Sequence, residues 1–142
     1  MSYIDEIIEA LEASNIATAL DLIEKHRAEY GLKPEFITVQ AMLCLKTQEF
    51  DTACDILHDG VKRYPENSDL LFNLGHVYQC MGNKKQAIKY YEYAAKYTDD
   101  VSIITEINQI CMDIKDLNTI EVSIITGEEL SRMDFPEEFI QS

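Results

Sequence analysis

Residues 71–97 read LFNLGHVYQCMGNKKQAIKYYEYAAKY. Leu71, Leu74, Gly75 and Tyr78 recur at helical spacing and share one face of a first helix. Ala87, Tyr91 and Ala94 do the same on a second helix. Gly75 and Ala87 carry almost no side chain, so the two helices can approach closely. Gly82-Asn83 breaks the chain between them, because both residues tolerate positive φ at a helix end.

The same pattern returns upstream. Ala87 has counterparts in Ala53 and Ala19, each 34 residues earlier than the next. Tyr91 corresponds to Leu57 and Ile23, Gly75 to Ala41, and Ala94 to Gly60 and then to His26. Asp99 corresponds to Pro65 and Gly31, and the turn Gly82-Asn83 to Gln48-Glu49 and Ser14-Asn15. In the first unit, strict register places Glu6 at a buried position. A turn shorter by one residue instead places Ile4, Ile7, Ile8 and Leu11 there. Burying an unpaired carboxylate is costly, so the second register is expected.

The spacing and small-residue pattern resemble the tetratricopeptide repeat, most closely over residues 68–101. The resemblance implies an all-α fold, a right-handed superhelix of antiparallel helix pairs with about seven helices. Repeats are expected over about 1–33, 34–67 and 68–101, with a capping helix over 102–115. Residues 116–142 form an acidic, partly apolar tail. Within it TIEVSIIT is β-branched and extended by propensity. Ile124, Ile125, Leu130, Met133, Phe135, Phe139 and Ile140 supply enough apolar material to fold back or bind a neighbour.

Composition bounds the function. The 142 residues suit one domain. The net charge is -14, and residues 102–142 hold nine acids against two bases. Such a surface repels nucleic acid and anionic membranes. No run reaches the length of a membrane span, and MSYIDEIIEALEAS does not resemble a signal peptide. The four cysteines, Cys44, Cys54, Cys80 and Cys111, form no CxxC pair and are expected to be free and buried. A cytoplasmic protein is the expectation.

The resemblance also implies which side chains line a concave peptide groove. They are Glu35, Thr38, Met42, Leu45 and Lys46 in the second repeat, and Asp69, Phe72, His76, Gln79 and Cys80 in the third. The last helix adds Ile103, Glu106, Ile110, Asp113 and Ile114. The expected peptide site is Thr38, Met42, Leu45, Phe72, Asn73, His76, Gln79, Glu106 and Ile110. Family members that grip an acidic C-terminus use a basic clamp. The clamp positions here hold Thr38, Met42, Asp69 and Phe72, and of the clamp residues Asn73 alone has the right chemistry.

His76 with Cys80, and Cys54 with His58, offer two metal ligands each, too few for a site. No catalytic motif occurs, and no cofactor or metal is expected. Lys84, Lys85, Lys89 and Lys96 form a basic strip flanked by Tyr90, Tyr91, Tyr93 and Tyr97. It is either a solvated face or a dock for acidic segments, this chain's tail among them. The expected function is a non-enzymatic interaction module, an adaptor or small chaperone, that binds a protein or peptide through apolar anchors. Its own tail or a homodimer are further expected partners. In size and repeat number the chain resembles small bacterial chaperones of secreted translocator proteins. Its second and third repeats also look like helical arrays attached to bacterial surface-glycan glycosyltransferases, which implies a scaffold or oligomerisation module as the alternative.

Overall fold

A computed structural model describes residues 2–132, and the side chains of residues 2–116. Seven helices follow one another: α1 Tyr3–Glu12, α2 Ile16–Tyr30, α3 Pro34–Lys46, α4 Phe50–Arg63, α5 Ser68–Cys80, α6 Lys84–Lys96 and α7 Val101–Arg132. No strand occurs among the described residues. The fold is the expected all-helical repeat array.

Local chemistry sets the helix starts. Ser2 and Asp5 close a capping box on α1. Asn15, Asn67 and Asn83 each accept a backbone N–H at the first turn of α2, α5 and α6. Pro34 opens α3, where its missing N–H removes no helix bond. Within each pair the reversal falls on one equivalent residue. Ser14, Gln48 and Gly82 have φ of 57°, 61° and 79°.

Packing is local along the array. Ile7, Leu11, Ala19, Ile23, Phe36 and Val39 join α1, α2 and α3. Ala41, Ala53, Leu57, Leu70 and Leu74 join α3, α4 and α5. Leu71, Ala87, Tyr91, Ala94 and Ile107 join α5, α6 and α7. Ala19, Ala53 and Ala87 are each fully buried, so the small positions lie where helices meet. Side-chain hydrogen bonds tie the array together: Tyr64 OH to Leu32 O at 2.7 Å and His58 Nε2 with the Tyr78 hydroxyl at 2.8 Å join neighbouring repeats, and Ser68 Oγ to Ala94 O at 2.8 Å joins α5 to the end of α6 within the third. His26, at the place of Gly60 and Ala94, packs its ring against Tyr3 and Tyr30.

In α1 the shorter-turn register holds. Ile7 and Leu11 are fully buried, Ile4 and Ile8 are half-buried, and Glu6 is exposed. Two expectations need correction. All four cysteines are free, yet Cys54 is only half-buried and Cys80 is exposed. The segment TIEVSIIT, extended by propensity, is helical, because α7 continues to Arg132. Once a helix is nucleated, each further residue gains a hydrogen bond. β-branched residues then cost at most about 0.7 kcal/mol each and a glycine such as Gly127 about 1 kcal/mol. No proline intervenes before Pro136. The tail's Met133, Phe135, Phe139 and Ile140 lie outside the described residues, as do the side chains of Ile124, Ile125 and Leu130.

Candidate functional site

Helices α3 and α5 turn their apolar stripes, Ile37, Ala41 and Cys44 on one and Leu70, Leu74 and Val77 on the other, into a shared core. Met42, Leu45 and Lys46 stand beside the first stripe, and Asn73, His76 and Cys80 beside the second. These six residues line a groove of about 390 Å³. Met42, Leu45 and Asn73 are half-buried, while Lys46, His76 and Cys80 are exposed at the rim.

The groove is nearly uncharged. Desolvation by the surrounding walls holds the His76 imidazole below its ordinary value and pushes the Cys80 thiol above its own. Both shifts favour the neutral forms. His76 Nε2 and Cys80 Sγ are 3.8 Å apart. Asn73 donates Nδ2–H to the Asp69 carbonyl at 2.8 Å. Lys46 alone brings a formal charge.

Of the nine residues expected at the site, Met42, Leu45, Asn73 and His76 meet in this groove, and the other five stand apart. Thr38 donates its hydroxyl to the Pro34 carbonyl at 3.0 Å, within its own helix. Phe72 is half-buried, edge-on to Tyr91 at 5.3 Å between ring centres. Gln79 accepts the Tyr91 hydroxyl through Oε1 at 2.6 Å. Glu106 is exposed on α7, and Ile110 packs against the α5–α7 core. Lys46 and Cys80 complete the lining. Both occupy helix positions that the repeat register marks as groove-facing, which is the signal that finds them.

A second hollow of about 520 Å³ lies along α1 and α2, and Glu6, Glu9, Thr18 and Lys25 are among its walls. These polar walls hold water well and give an apolar group little to bury against. His58 is engaged elsewhere: its Nε2 lies 2.8 Å from the Tyr78 hydroxyl. Among the described residues no three His, Cys, Asp or Glu side chains gather as a metal site. None of the described helices is long and apolar enough to cross a membrane.

Residues 68–100 match the family model of the tetratricopeptide repeat. No curated protein matches the chain. The matched stretch spans α5 and α6, the helix pair with Gly75 against Tyr91 and the Gly82 turn. The chain therefore contains a tetratricopeptide repeat, carried in an all-helical array of antiparallel pairs such as that family builds.

Proposed function

We propose that the chain is a non-enzymatic protein–protein interaction module whose α3–α5 groove takes an apolar side chain of an extended or helical peptide. One observation carries this reading: Met42, Leu45 and Cys80 leave an apolar hollow open to solvent between two otherwise packed helices. Burying an apolar side chain there gains about 25 cal/mol per Å² removed from water. Asn73 and Lys46 at the edge offer the few polar handles that fix a peptide's orientation.

Catalysis finds no footing in the same groove. A Cys–His pair works as a nucleophile when the thiolate and imidazolium are favoured. Here desolvation by the neighbouring walls disfavours both charged forms. The groove lining holds no carboxylate to orient the imidazole.

The test is selection of peptides from a random library on the full chain, followed by Met42→Lys and Leu45→Asp. Selected peptides should carry a large apolar residue and lose affinity for both variants, with the helical circular dichroism intact. Peptides that bind both variants as well as the parent chain place the binding surface elsewhere.

A further inference from the structure

Helix α6 carries four lysines against Glu92, and it is the one described helix with a net positive charge in a chain of -14. Lys85, Lys89 and Lys96 are exposed and, at 100° per residue, fall within about 40° of one another. Tyr90, Tyr93 and Tyr97 form a second stripe beside them, at spacings of three and four. Tyr93 is 42% and Tyr97 36% exposed. Lys89 Nζ lies 5.4 Å from the Tyr90 ring centre, and Lys96 Nζ lies 5.4 Å from that of Tyr97. No carboxylate among the described residues pairs with Lys85, Lys89 or Lys96. None of these residues lines the α3–α5 groove.

We infer that this lysine–tyrosine face of α6 docks the C-terminal segment, residues 133–142, of a second copy of the chain. The segment reads MDFPEEFIQS. Asp134, Glu137 and Glu138 answer the lysines, and Phe135 and Phe139 answer the tyrosines. By residue type, Pro136 disfavours helix and favours an extended chain. Tyr90 is half-buried and stacked on Tyr78 at 5.6 Å between ring centres, so the phenyl rings would meet the exposed Tyr93 and Tyr97.

Reach selects the second copy over the chain's own tail. The short link 97–100 turns α7 back along α6, which is about 20 Å long against about 48 Å for α7. Arg132 thus falls about 28 Å beyond the Lys84 end of α6 and about 48 Å from Tyr97. Ten extended residues span at most about 36 Å. A chain's own segment therefore stops short of the tyrosines at the far end. A segment from another molecule has no such tether.

Sedimentation equilibrium of the full chain tests the inference with two charge reversals, Lys89→Glu/Lys96→Glu and Glu137→Lys/Glu138→Lys. The parent chain should self-associate, more weakly as salt rises. Each reversal alone should weaken association about tenfold or more, and the two combined should regain it. A parent chain that stays monomeric overturns the inference. So do reversals that leave association unchanged, or a combined variant that fails to recover. Association lost instead in Met42→Lys assigns it to the groove and likewise overturns docking on α6.

Discussion

The side chain that Gly75 lacks would stand 2.9 Å from Cδ1 of Tyr91. Tyr91 is fully buried, and its hydroxyl is held by Gln79, so the ring cannot swing aside. The second repeat solves the same contact differently, with Ala41 facing the smaller Leu57, both fully buried. Gly75→Ala should therefore destabilise the chain by about 1–2 kcal/mol, overpacking being offset in part by better helix propensity. Tyr91→Leu placed on the Gly75→Ala background should cost less than on the parent chain. Urea titration of the four proteins reads this coupling, and simple additivity would refute the contact as its cause.

The three turns make a second test. Ser14 and Gln48 pay for a left-handed backbone that Gly82 adopts freely. Ser14→Gly and Gln48→Gly should each raise stability by about 0.5–1 kcal/mol. Gly82→Ala should lower it by a similar amount, since nothing lies within 4 Å of the added carbon and the cost is purely conformational. Thermal melts of the three variants decide the matter.

Thiol alkylation should rank the cysteines by exposure. Cys80 should react first, Cys54 more slowly, and the buried Cys44 and Cys111 only on unfolding. Desolvation raises the Cys80 thiol, so its rate should keep climbing as pH passes 9.0. A peptide seated in the groove should protect Cys80 and spare Cys54. Mass spectrometry of iodoacetamide-treated protein identifies the order.

His76 predicts a pH dependence. Desolvation lowers its folded-state pKa below the ordinary 6.5. As pH falls through 6.5 the unfolded chain takes a proton that the folded chain resists, so stability falls with it. The loss levels off once the folded-state value is passed. The urea midpoint of the parent chain should drop more steeply below 6.5 than that of His76→Gln. An apolar peptide would desolvate the ring further, so its affinity should also weaken on acidification. Parallel midpoint curves for the two proteins would contradict the assignment.

Much of the fold was legible because small residues recur in step. Ala19, Ala53 and Ala87 were placed at helix contacts from spacing alone, and all three are buried. The turns at Ser14-Asn15, Gln48-Glu49 and Gly82-Asn83 were likewise marked by register. The groove was legible only in part. Register tells which face of a helix a residue occupies, but not what its neighbour will claim. Phe72 and Gln79 carry groove register, yet Tyr91 draws both of them toward the α6 contact. Cys80 carries groove register and, as a free cysteine, is expected to be buried; it faces the groove, and one helical turn after His76 it is exposed at the rim.

What the sequence determined by itself was the periodic scaffold: paired helices, their reversals and the buried small positions. Each of these depends on residues close in the chain or on one face of one helix. The tertiary structure alone decided which side chains meet across α3 and α5, and it carries α7 through Arg132. The first depends on side chains from separate helices competing for one space. The second depends on a helix that, once started, extends through residues whose own preference is for strand.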